Sequence, residues 1–168
     1  MKDREIRIDV EELYKRLFTE SGYIAMSRSA MGVPDRLVDT MQTTDDERRI
    51  IDNWIKSSVN EIAHVINRYL GPCSVIFGKD NGNSDLGFTI SFKAPHNYPE
   101  EATEMLQECA IDLVFKRTVQ QWNMAMKPDE ASITAAGAQA DALRFRELLA
   151  LRKRPTRENG KNENLIEL

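Results

Sequence analysis

The chain has 168 residues, about one domain's worth, and its 41% hydrophobic and 30% charged residues suit a domain with a single core. Fibrous, disulfide-scaffolded and wholly disordered classes are excluded by that composition. The net charge of −4 does not suit a protein that coats nucleic acid through its overall field. The two cysteines, Cys73 and Cys109, lack CxxC spacing and read as reduced thiols of an intracellular protein.

The opening MKDREIRIDVEELYKRLF is charged at every second or third residue, so it leaves no apolar stretch for a signal peptide. No run approaches the ~18 apolar residues of a membrane span. A soluble cytoplasmic protein without membrane contact is therefore expected. Asp9 stands as an N-cap before Val10, Leu13, Tyr14, Leu17 and Phe18, whose spacing predicts a short helix over about 10–20, ended by Gly22. Residues 22–43, with Gly22, Gly32 and Pro34, read as an irregular arm.

Thr44 and Glu47 form a capping box ahead of Ile50, Ile51, Trp54, Ile55, Val59, Ile62, Val65, Ile66, Tyr69 and Leu70, one broad apolar stripe. Gly71 and Pro72 end this helix after about 26 residues. The period then changes. Ser74–Phe77 and the alternating Phe88, Ile90 and Phe92 predict two strands joined across Asn81-Gly82 as a hairpin, which is marginal alone and needs helices or another subunit's strands to pack on.

Pro99 and the acidic Glu100, Glu101 and Glu104 open a second helix of about 28 residues. Its stripe runs Ala102, Met105, Leu106, Cys109, Ala110, Leu113, Val114, Val119 and Trp122, and it stops at Lys127-Pro128. The two matched helices form an antiparallel pair bridged by the hairpin, with Trp54, Ile55, Ile62 and Ile66 against Leu106, Ala110, Leu113 and Val114. A third helix, Ser132 to Leu151, places Ile133, Ala136, Ala140, Leu143 and Leu148 toward its neighbour and is weakened at Gly137. The fold class is thus mainly α: an antiparallel long-helix pair with additional shorter helices and one β-hairpin. Its parts are an N-terminal helix and arm over 1–43, a helical core over 44–151 with the hairpin at 73–94, and a flexible basic-to-polar tail over 152–168.

Chemical motifs are sparse. His64 reads as a partly buried structural histidine and His96 as a loop residue; neither joins a Cys/His cluster, and no metal or cofactor is expected. Cys73 stands where a phosphate loop needs glycine, and Asp80 where it needs Ser or Thr. Asp80, Gly82 and Ser84 fail the calcium-loop pattern and read as a turn. Glu100, Glu101 and Glu104 spell the EExxE of the all-α magnesium-dependent nucleotide pyrophosphohydrolases, without the second acidic motif that two metal ions require. Acidic residues also favour a helix N-terminus for its dipole alone. No catalytic residues are assigned, and no enzyme is expected.

The C-terminal charge run is the most distinctive feature. Residues 143–161 hold seven Lys and Arg against Glu147 and Glu158, a net +5, whereas residues 79–112 carry −5. Arg144, Arg146, Arg152, Lys153, Arg154 and Arg157 are the candidate partner-binding residues. Such polarity suits head-to-tail contact between copies, an acidic partner or phosphates.

The segments TTDDERRIIDNWIKSSVNEIAHVINRYLG and PEEATEMLQECAIDLVFKRTVQQWNMAMKP together resemble the head–tail connector proteins of long-tailed bacteriophages and prophages. In that family an acidic turn opens a helix of the form DDxxI...I..A...V..Y.G, and a proline-initiated helix follows. The likeness covers residues 44–128. The longer N-terminal segment and the tail after Ser132 depart from it. The resemblance implies a ring-forming neck adaptor between portal and tail proteins, self-associating through heterologous interfaces, with DNA only as a non-specific channel contact. Its place would be the virion, after assembly in the host cytoplasm. The hairpin would add strands to a neighbour, and the tail would be captured by the portal. The alternatives are a small helical DNA-binding or regulatory protein using Arg144 to Arg157, and the nucleotide pyrophosphohydrolase.

Overall fold

The structure is a computed structural model that describes residues 1–17, 19, 45–79, 86–126 and 128–152. In chain order it forms β1 (Lys2–Asp9), a short helix α1 (10–17), α2 (Asp45–Leu70), β2 (Cys73–Lys79), β3 (Leu86–Ala94), α3 (Glu101–Met126) and α4 (Pro128–Ala150). The architecture is mainly helical, with a three-stranded antiparallel sheet of order β1-β3-β2.

The sheet corrects the expectation of a lone hairpin, because the charged opening of the chain is a strand. β1 pairs with β3 from Lys2 opposite Ala94 to Asp9 opposite Gly87. Alternation explains it: Ile6 and Ile8 point inward beside Ile90 and Phe88, while Asp3, Glu5, Arg7 and Asp9 face outward. Six charges in eight residues hid this period behind a surface-like composition. Gly87 permits the pairing at its far end, since a Cβ there would sit 3.0 Å from the carbonyl oxygen of Ile8. Asp9 then ends the strand and caps α1, its Oδ1 accepting from the backbone N–H groups of Glu11 (2.8 Å) and Glu12 (3.3 Å). The expected continuation of α1 to Gly22, the arm over 22–43, the capping-box side chains, the Asn81-Gly82 turn and the tail beyond Arg152 lie outside the described residues.

The helices cover one face of the sheet. α2 buries Ile55, Val59, Ile62, Ile66 and Leu70, leaving Ile50 and Tyr69 at the exposed margins of its stripe. It ends at Gly71, which has φ +97° and donates its N–H to the carbonyl of Asn67 at 3.1 Å. α3 is buried over most of its circumference, through Leu106, Cys109, Ala110, Leu113, Val114, Phe115 and Thr118, as befits a central helix. The expected facing residues Ile55, Ile62, Ile66, Leu106, Ala110, Leu113 and Val114 do share one core cluster; Trp54 is only half-buried. His64, expected to be partly buried, is exposed on α2.

The antiparallel partner that the contacts give α3 is α4. Asn123 Nδ2 donates to Thr134 Oγ1 (3.4 Å), Lys116 Nζ lies 2.7 Å from Asp141, and Cys109 Sγ donates to the Asp141 carbonyl (3.6 Å). Pro128 does not merely stop α3; it occupies the start of α4, where its missing N–H costs no hydrogen bond. The helix is longer than expected and turned the other way. Ala138, Phe145, Leu148 and Leu149 are its buried face, whereas Ile133, Ala136, Ala140 and Leu143 face out.

Side-chain ties fix the outer elements. The Tyr14 hydroxyl donates to Asp52 Oδ1 (2.8 Å) and lies 3.0 Å from the Arg48 carbonyl, joining α1 to the start of α2. Burial, reinforced by the Asp52 carboxylate, pushes this phenol far above its ordinary range. Arg16 donates to Asp112 at 2.6 Å, its guanidinium 4.2 Å from the Phe115 ring centroid, and Arg117 donates to Glu61 at 3.0 Å.

Two substitutions test this packing. Ile62→Ala should cost about 2 to 5 kcal/mol in urea unfolding, because the side chain is fully buried. A loss below about 0.5 kcal/mol would place Ile62 at the surface. Gly137→Ala should instead stabilise the protein by about 0.5–1 kcal/mol. α4 runs unbroken through this glycine, and the added methyl would meet only Lys116 Cδ at 3.8 Å, so a rise in melting temperature is expected.

Candidate functional site

The described part of the basic run, Arg144, Arg146 and Arg152, does not form one cationic face. Arg144 and Arg146 are both exposed, but two residues along a helix is about 200° of rotation, so they look away from each other. Arg152 stands just past α4 and serves as its C-terminal cap. Its Nη1 donates to the carbonyls of Leu149 (2.9 Å) and Leu151 (2.6 Å), and the guanidinium lies 5.9 Å from the centroid of the Tyr98 ring. The Tyr98 hydroxyl donates to the Leu148 carbonyl at 3.1 Å, and burial raises its pKa. Together these groups satisfy carbonyls that a helix end leaves without partners, with a cation at the negative end of the dipole. Lys153, Arg154 and Arg157 lie outside the described residues.

The acidic cluster is divided in a similar way. Glu100 accepts from Lys2 Nζ (2.7 Å) and Arg4 Nη2 (3.4 Å), and those cations hold its carboxyl below the usual carboxylate range. It therefore ties β1 to the start of α3, while Glu101 and Glu104 are exposed on the first turn of the helix. Among the described residues, no three His, Cys, Asp or Glu side chains converge as metal ligands. Because α3 and α4 run antiparallel, the acidic start of one and the basic end of the other meet at the same end of the helical hairpin. The charge polarity read along the sequence is not a polarity of the described fold.

Both thiols are free and engaged with backbone. Cys73 Sγ donates to the Ala63 carbonyl at 3.2 Å, and burial raises its pKa. Burial pushes the Cys109 thiol up to about 11, so little thiolate forms at neutral pH. His96 Nε2 is hydrogen-bonded to the amino group of Met1.

The accessible features with unexplained chemistry are apolar. On α4, Ile133 (75% exposed) and Leu143 (54% exposed) stand in line with Ala136 and Ala140. Spacing alone predicts this stripe as core. Two apolar stripes share the helix, and the presence of Phe145 between Arg144 and Arg146 was the available signal for the other. On β2, Val75, Ile76 and Phe77 are all exposed at the sheet edge, although Phe77 rests against Phe88 with ring centroids 4.7 Å apart.

Comparison with protein-family models, with curated proteins and with solved structures finds no match for this chain.

Arg152→Ala should loosen the end of α4 by about 0.3–1 kcal/mol. Amide hydrogen exchange should speed up over residues 148–151 and stay unchanged in α2. Unaltered exchange at that end would show that the guanidinium does not cap the helix.

Proposed function

We propose that the protein is a ring-forming head–tail connector or neck adaptor of a long-tailed bacteriophage or prophage, docking between portal and tail. The observation that carries this reading is the outer stripe of α4, Ile133 to Leu143, about 15 Å long at 1.5 Å per residue. A helix whose inner face is already in the core, yet whose outer face is apolar, is built to be covered by another chain. The pattern of residues 44–128, whose helices α2 and α3 share one core cluster, supplies the kind of assembly. In a ring each copy meets two neighbours through unlike surfaces, and the α4 stripe is one of them. Arg144, Arg146, Lys153, Arg154 and Arg157 are the candidate portal-binding residues, and DNA in the channel is contacted without sequence readout. The role is geometric: the protein needs no cofactor, performs no chemical step, and works in the virion after assembly in the host cytoplasm.

The test is assembly with the portal protein, followed by negative-stain imaging. The full chain should add a ring to the portal. A chain carrying Ile133→Glu and Leu143→Glu should keep its melting temperature, since both positions are exposed, and lose the ring. Rings from the double variant equal to those of the unaltered chain, or none from either, would overturn the reading.

A further inference from the structure

The two edges of the sheet are opposites in chemistry. β1 forms one edge and is charged at six of eight positions, which blunts it against further pairing. β2 forms the other edge with the sequence CSVIFGK, whose single charge, Lys79, is at its end. Among the described residues no strand lies beyond β2. Its outward backbone groups and the side chains of Val75, Ile76 and Phe77 form an unprotected template for another strand.

We infer that β2 pairs antiparallel with β2 of a second copy, closing a two-fold dimer with one continuous six-stranded sheet. A two-fold axis normal to the sheet keeps the helices of both copies on one side and reverses the strand direction. Centred on Ile76, it sets Val75 opposite Phe77 of the other copy on the helix side. On the outer side it sets Ile76 opposite its own counterpart, and Ser74 opposite Gly78. Aromatic and β-branched residues face each other across the strands, a favourable arrangement, and no like charges are opposed within 73–78. The outer position is open: Ile76 is 61% exposed, in the row of Thr89 and Arg7. On the helix side Lys56 Nζ lies 5.2 Å from the Phe77 ring centroid and covers that ring only in part.

The occupant is a second copy because the edges differ. A neighbour offering β1 would lay Lys2, Arg4, Glu5 and Arg7 along an apolar strand, whereas a neighbour offering β2 matches it. One adhesive edge and one blunted edge close at two chains and do not propagate. A pairing of seven residues is small against the ~1,000 Å² of a stable interface, so the dimer is reversible and follows concentration. It is independent of the connector reading, whose ring contact is on α4.

Sedimentation equilibrium of the full chain carrying Ile133→Glu and Leu143→Glu, which lacks the proposed ring contact, should give a monomer–dimer transition across a concentration series and no larger species. Ile76→Lys places two ammonium groups face to face on the outer side of the paired strands. It should weaken the dimer about tenfold or more, with circular dichroism and melting of the monomer unchanged. As a second readout, Ile76→Cys with copper-phenanthroline as oxidant should yield a covalent dimer, whereas Arg7→Cys, in the same row on the β1 edge, should not. The inference is overturned by a monomer at every concentration, as when residues 20–44 cover the edge. A dimer indifferent to Ile76→Lys, cross-linking through position 7, or open-ended polymers would overturn it equally. The Ile133→Glu, Leu143→Glu chain should still dimerise, which separates failure of this pairing from failure of the ring.

Discussion

β3 is the element on which the rest depends. It is hydrogen-bonded on both sides, to the first strand of the chain and to the one just before it, and its inward residues Phe88, Ile90 and Phe92 form the floor on which the helices pack. The constraint is steric as well as hydrophobic, because at Gly87 the β1 carbonyl comes so near that a side chain there would push it back. With β1 in place, Lys2 and Arg4 reach Glu100 and α1 falls where Tyr14 and Arg16 meet α2 and α3. Every tie that holds the N-terminal segment follows from that ladder.

Several charged residues among those described are internal ties. Arg16 with Asp112, Arg117 with Glu61, Lys2 with Glu100 and Arg152 with the end of α4 each connect two elements or finish one. These groups are partly exposed, and their worth lies in orientation more than in energy. A linear count of charge overlooks such use, because it cannot see which cation already has a partner across the fold. Arg152 belonged to the basic run by sequence and to the α4 terminus by structure.

The long helices were legible because strong periodicity met strong punctuation. The stripe of α2 ends at Gly71-Pro72 as its spacing requires, and spacing finds most of the core of α2 and α3, although Met105 of the expected α3 stripe is exposed and the buried Phe115 and Thr118 lie outside it. β1 was not legible, since two isoleucines among six charges give too short an alternation to outweigh composition, and their partner lies about eighty residues away. α4 failed for a different reason: it carries apolar residues on two faces, and periodicity alone cannot say which face a neighbour will choose. The surface left over from that choice is the exposed stripe Ile133 to Leu143, so the same ambiguity that hid the core also hid that surface.

The remote pairing of β1 also bears on how the chain is made. The strand leaves the ribosome well before its partner at 86–94, which follows about eighty residues later, on the order of 4–16 s at ordinary elongation rates. Throughout that interval two isoleucines are waiting for a sheet. The alternating Lys, Asp, Arg and Glu around them keep the waiting segment hydrated and unattractive to other nascent chains, a service rendered before the fold exists.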